Sequence, residues 1–264
     1  MRPMDERFVF EGDELRIGEF VFRLGYDFAS DAWKSAPEGC FLMFKPRTML
    51  EEYDRFFSSR AGDFPFRAIF EIGIWDGGST ASWFEYFQPD KLVAVDLLHR
   101  EDSEYFRRYV ASRGIADRVK THWGVDQGDE DQLREIVDAA FAGPLDLVID
   151  DGSHLLEQTT TSFQTLFPRL RPGGLYVIED WNWELNPKFR EPDHPFATHD
   201  GLVGLIADLS RITGNSSTIR SMTIYRGFVA VERGYGLEGT TFDLQHHVPG
   251  LPEKLDRESR GAPT

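Results

Sequence analysis

Two stretches of the chain end an apolar run in ionisable side chains. LVIDDGSH places Asp150, Asp151 and His154 within five positions, and LYVIED closes on Glu179 and Asp180. Carboxylates gathered at one point repel each other and rise in pKa unless a cation sits among them. A hard divalent ion with oxygen ligands resolves that conflict, and it keeps waters whose places hydroxyls can take. An imidazole beside such a site can accept a proton near neutral pH. The same residues also have plain structural uses: a capped helix start for Ser153 and the aspartates, a packed histidine, the polar end of a strand.

What decides between these uses is whether the two stretches meet. From residue 67 the chain alternates strand and helix: RAIFEIG, then STASWFEYF; KLVAVDLL, then SEYFRRYVASRG, which ends at Gly114; VKTHWG, then DEDQLREIVDAAF. LDLVID follows, then LEQTTTSFQTLFPRL, then GLYVIED, and RSMTIYRGFVAVERG reads as a hairpin around Arg226-Gly227. Such alternation predicts a doubly wound α/β fold, a mostly parallel sheet covered on both faces. Ligands of open α/β sheets bind beyond the carboxyl ends of the strands, so both acidic groups face one crevice if their strands are neighbours.

Upstream, residues 8 to 24 alternate apolar and polar around Gly12-Asp13, the pattern of short paired strands, and PRTMLEEYDRFFS has helical spacing after Pro46. We expect an N-terminal arm and helix over residues 1–60, a main domain over 61–235 and a tail over 236–264, whose Pro- and charge-rich end frays. A chain of 264 residues suits one main core with a small appendage. The net charge of -16 repels phosphate backbones and points to a small-molecule partner rather than nucleic acid. Cys40 is the single cysteine and forms no internal disulfide. With no signal-like N-terminus and no membrane-length apolar run, the expected setting is cytoplasmic.

The first strand-to-helix turn, EIGIWDGGST, carries Glu71, Gly73, Gly77 and Gly78. A dinucleotide-binding turn wants G-x-G-x-x-G, and Trp75 stands where its middle glycine belongs; the Gly-Lys-Ser/Thr of a P-loop is absent too. The second strand ends in Asp96, which alone reads as a helix cap before anything else, and the third is followed by Asp126 and Gln127. In this order and spacing, over roughly residues 61 to 234, the chain resembles the class I S-adenosylmethionine-dependent methyltransferases. The resemblance implies a seven-stranded Rossmann-like sheet with a terminal antiparallel hairpin. It also implies that Glu71, Gly73 and Gly77 wrap the methionine portion of S-adenosylmethionine, Asp96 binds its ribose, and Asp126 and Gln127 hold its adenine.

Within that superfamily, DDGSH and IEDW are similar to motifs of the metal-dependent sugar O-methyltransferases of antibiotic biosynthesis, of mycinamicin type, and of the cephalosporin 7-methoxylation family. Carried over by motif, Asp151, Glu179 and Asp180 are the Mg²⁺ ligands and His154 the base, while Asp150 falls to the cofactor pocket or to a supporting role. The function so implied is Mg²⁺-dependent O-methylation of a small hydroxylated molecule, a sugar of a natural product or a nucleotide sugar. The alternatives are a nicotinamide-dependent oxidoreductase and a non-catalytic protein that keeps the cofactor pocket.

Beyond IED, WNWELNPKFREPDHPFATHDG has little periodicity and the length of a lid. Trp181 and Trp183 either stack on the acceptor or anchor this loop, while His194, His199 and the pair His246-His247 read as surface residues. The Phe-rich arm either covers the acceptor site or joins a second subunit into a homo-oligomer.

Overall fold

A computed structural model describes residues 4, 7–25, 38–60, 65–194, 196–237 and 241–247 of the chain. The fraying expected of the last fifteen or so residues falls outside the described residues.

Period-two burial organises the arm. β1 (Phe8–Glu11) and β2 (Glu14–Ile17) form a hairpin in which Phe8 pairs with Ile17 and Glu11 with Glu14. β3 (Phe20–Leu24) continues it antiparallel, and β4 (Phe41–Met43) joins β3 in parallel, giving a four-stranded sheet. Its apolar side faces the rest of the chain: the rings of Phe20 and Phe41 pack edge-on against Tyr105 and Tyr109. Most of the arm's phenylalanines are therefore buried within this chain, and on its outer side Val9 is exposed. Directly after β4 the chain turns into α1 (Arg47–Ser58), with Pro46 in extended backbone at its N-cap. Met49, Leu50, Tyr53, Phe56 and Phe57 recur at helical spacing and are buried.

The main sheet contains β5 (Ala68–Ile72), β6 (Lys91–Asp96), β7 (Val119–Trp123), β8 (Leu145–Asp150), β9 (Leu170–Glu179), β10 (Ile219–Ile224) and β11 (Phe228–Arg233). Their spatial order is β10-β11-β9-β8-β5-β6-β7. The five strands from β5 to β9 are mutually parallel, and β11 runs antiparallel to both β9 and β10. This is the expected doubly wound sheet with its terminal hairpin. Strand order reverses between β5 and β8, which places the crevice of such a fold at their carboxyl ends.

Both faces are covered, and alternation assigns each residue to one of them. Ile69, Leu92, Ile149 and Val177 belong to the core shared with the arm, α1, α2 (Gly78–Phe87) and α3 (Glu104–Arg113). Phe70, Val93, Val148 and Tyr176 belong to the core under α4 (Glu130–Ala140), α5 (Leu156–Leu166) and α6 (Val203–Asn215). Because the arm shares one of these cores, its apolar contacts are continuous with those of the main sheet. Sequence reading left α6 out although Leu205, Ile206, Leu209 and Ile212 carry a helical stripe. A final short helix, α7 (Leu244–His247), follows. No helix among the described residues is long and apolar enough to cross a membrane.

Candidate active site

The two acidic strand ends do meet. β8 and β9 are parallel neighbours with Asp150 in register with Ile178. Alternation then separates the consecutive aspartates. Asp150 shares the face of Tyr176 and Ile178, where its Oδ2 accepts from Ser162 Oγ and Tyr176 OH, each at 2.8 Å. Burial pushes its carboxyl up, against the pull of those two hydroxyls. Asp151 emerges into the crevice instead. There Asp151, His154 and Asp180 can each offer an atom within 4.8 Å of the others, and His154 Nε2 lies 3.8 Å from Asp151 Oδ1. His154 and Asp180 hold left-handed backbone, at φ 57° and 48°. Such conformations cost about 1–3 kcal/mol each and persist where the surroundings impose them. Asp180 opens onto the crevice, yet the crevice walls still desolvate it and raise its carboxyl, with His154 acting the other way and Asp151 reinforcing the rise.

Glu179 points to the opposite face from Ile178, under α1, and is 1% exposed. Its Oε1 accepts from Tyr53 OH at 2.9 Å and its Oε2 from Lys45 Nζ at 2.6 Å, and the same ammonium donates to Asp151 Oδ2 at 2.5 Å. Burial opposes the charge on Lys45, but the two carboxylates outweigh it and hold the ammonium above the usual lysine range. Burial and then Asp151 push Glu179 upward, against Lys45. Sequence reading missed Lys45 and Tyr53. Neither belongs to a motif, and they come from 134 and 126 positions away from Glu179. The oxygen-rich donors, with one imidazole, fit a hard divalent ion. Asp151 and Asp180 face the crevice directly, whereas Glu179 reaches it only past Lys45.

The crevice opens into a cavity of about 1330 Å³. Of the residues expected to bind a cofactor, Gly73, Asp96, Asp126 and Gln127 line it, and Glu71, Gly77 and Asp150 lie behind its wall. Glu71 is fully buried, with Oε2 accepting from Thr80 Oγ1 at 2.6 Å and Oε1 unpartnered; desolvation raises its pKa to about 7. Gly77 (φ 92°) starts α2 against Phe106, whose ring would lie 2.3 Å from an added Cβ. Gly73 (φ 98°) serves protein packing as well, since its Cβ would meet the Asp151 carbonyl at 2.2 Å. The first turn is thus wedged against the turn after β8. Asp96 fastens it: Oδ2 accepts from the backbone N–H groups of Ile74 and Trp75, and Oδ1 from that of Leu98. The helix cap of α3 is Ser103, not Asp96. Gln127 is engaged inward, accepting from Ser153 N at 2.6 Å and donating to Asp150, which leaves Asp126 the exposed carboxylate on that wall.

The long loop after β9 is tied down by its tryptophans. Trp181 donates its indole N–H to Tyr225 O at 2.9 Å, and Trp183 donates to His154 O at 2.7 Å. Both anchor the loop; Trp183 also lines the cavity with Phe189, Phe196 and His194. His199 is exposed, His246 pairs with Asp243, and the ring of His247 lies against Phe242.

A family model described as "Methyltransferase domain" matches residues 70–181. Its span begins in β5 and ends just past Asp180, on the strands and turns that build the crevice. Over that segment the chain is similar to a methyltransferase domain. It is 33% identical over 71% of its length to demethylmacrocin O-methyltransferase of Streptomyces fradiae, covering 48% of that protein. It is 40% identical over 48% of its length to the 8-demethyl-8-alpha-L-rhamnosyl tetracenomycin-C 2'-O-methyltransferase of Streptomyces olivaceus, covering 32% of it. Among solved structures, the MycE methyltransferase from the mycinamycin pathway, in complex with Mg, SAH and mycinamycin VI, superposes with a TM-score of 0.53. Identity there is 30%, covering 72% of this chain and 50% of that one. The chain thus spans half or less of the length of these relatives. Asp151, His154, Glu179 and Asp180 all fall within the matched segment, while Lys45 and Tyr53 lie upstream of it.

Proposed function

We propose that the chain transfers a methyl group from S-adenosylmethionine to a hydroxyl of a sugar on a natural product, with Mg²⁺ as its second cofactor. The observation that carries this reading is the convergence of Asp151, His154 and Asp180 at the cavity of a methyltransferase domain. Relatives named for O-methylation of demethylmacrocin and of a rhamnosyl tetracenomycin, and a neighbour holding Mg and SAH, support it.

When bound, S-adenosylmethionine supplies the electrophilic methyl, and Mg²⁺ supplies positive charge that makes a nearby hydroxyl more acidic. Asp151 and Asp180 would hold the ion, with Glu179 the next carboxylate, now engaged by Lys45 and Tyr53. His154, its Nε2 3.8 Å from Asp151 Oδ1, would accept the proton of the acceptor hydroxyl. Gly73, Asp96 and Asp126 line the cofactor's side of the cavity, and Gln127 holds the turn that carries Asp151. Glu71, Gly77 and Asp150 support these residues from behind. Fixing the acceptor oxygen in line with the methyl is a large part of the rate in such a transfer.

For the acceptor, the cavity mouth favours a sugar already attached to an apolar body. Leu97, Leu98 and Leu185 are 60%, 41% and 64% exposed there, beside Phe44. The unpaired, buried Cys40 agrees with a cytoplasmic setting. A homo-oligomer through the arm would use its outer side, because its inner side is covered within the chain. A nicotinamide-dependent reaction is not favoured, since Trp75 occupies the position of the dinucleotide turn's middle glycine and lines the cavity.

Calorimetric titration with S-adenosylhomocysteine and, separately, NAD tests the proposal without knowledge of the acceptor. Micromolar binding of the first alone supports it. Binding of NAD alone would replace it with the oxidoreductase reading.

A further inference from the structure

The oddest member of the site is a cation that already belongs to the protein. Lys45 is 3% exposed, and its ammonium lies between Asp151 and Glu179 at 2.5 and 2.6 Å. A buried lysine needs such partners, and these two carboxylates are placed where a divalent ion would use them. We infer that Lys45 is a built-in counter-ion that competes with the divalent ion for Asp151 and Glu179 and sets the ion affinity of the site. This rests on the metal-dependent reading above.

The geometry gives the competition its force. Lys45 sits between the end of β4 at Met43 and the N-cap Pro46 of α1, a short junction with little slack to carry the ammonium away. Tyr53, two turns along α1, holds the other oxygen of Glu179. An arriving ion therefore meets a positive charge fixed beside two of its ligands, or must strip those ligands from a buried ammonium that depends on them. Asp180 has no such partner among the described ion pairs and faces the crevice, so it is the carboxylate an ion meets first. In return, Lys45 holds Asp151 and Glu179 together when no ion is bound. Without it, Glu179 would be a buried carboxylate beside Asp151 with no cation between them.

Lys45→Met keeps the length of the side chain and removes the charge; Lys45→Arg keeps the charge. Mn²⁺ is the probe, with free Mn²⁺ counted by its electron paramagnetic resonance signal. The expected result is that K45M binds Mn²⁺ at least about tenfold more tightly than the wild type, the size of effect one adjacent charge has on a carboxylate's protonation. K45R stays near the wild type. If K45M is unfolded in chelator, recovery of the native circular dichroism on adding Mn²⁺ is the same competition seen through folding. Equal or weaker binding by K45M, or no recovery, overturns the inference while wild-type binding leaves the metal site standing. Absence of Mn²⁺ binding in all three proteins overturns both.

Discussion

Trp183, in the loop after β9, donates its indole N–H to the main-chain carbonyl of His154, 2.7 Å away. His154 stands in left-handed backbone, so this bond helps hold the imidazole in a conformation the residue would not choose alone. The loop and the proposed base are therefore coupled through one hydrogen bond.

Trp183→Phe keeps an aromatic ring and deletes that donor. With about 1 kcal/mol for the bond, we expect kcat to fall roughly fivefold, with S-adenosylhomocysteine affinity nearly unchanged. Stopped turnover with equal loss of cofactor binding would mean that Trp183 supports the whole cavity rather than His154.

His154→Ala removes the proposed base. Turnover should drop by about 10² to 10⁴, while calorimetry returns a near wild-type affinity for S-adenosylhomocysteine. Turnover that survives the change takes the proton elsewhere.

Stripping divalent ions with EDTA should abolish turnover and Mg²⁺ should restore it. Asp180→Asn, at the carboxylate that faces the crevice without a lysine partner, should raise the Mg²⁺ concentration needed for half-maximal rate at least about tenfold. Activity indifferent to chelator would remove the ion from the mechanism.

Glu71 supplies a test in pH. Its folded-state pKa, about 7, is raised above the ordinary 4.5 by desolvation. Between those values the native state binds more protons than the unfolded state, so stability falls as pH rises through the window. Relative to wild type, Glu71→Gln should lack this part of the slope, of order 3 kcal/mol. Urea melts of both proteins from pH 4.5 to 8 read it directly; parallel curves would place the proton on another group.

Much of this protein was legible in the sequence because the signals are local. Alternation and helical spacing report a neighbour's face, so strands β5 to β9, the hairpin β10–β11 and α1 to α5 follow from short windows. The end of each apolar run also located Asp151, His154 and Asp180. Even α6 was legible in Leu205, Ile206, Leu209 and Ile212, although the reading passed over it.

Tertiary structure decided what those residues meet. Asp150 and Asp151 are one position apart, yet sheet alternation sends the first to Ser162 and Tyr176 and the second to the crevice. Glu179 and Asp180 divide likewise: one is buried under α1 and the other is open to the crevice. Gly73 reads in sequence as room for a ligand, and in the fold it is room for the Asp151 carbonyl. Lys45 and Tyr53 left no trace in any motif, because a contact across more than a hundred residues imposes no period on the chain. The sequence alone determined which chemistry stands at the strand ends. Only packing of the arm and α1 onto the sheet decided that a lysine shares that site with it, because a buried charge is placed by its partners and not by its neighbours in the chain.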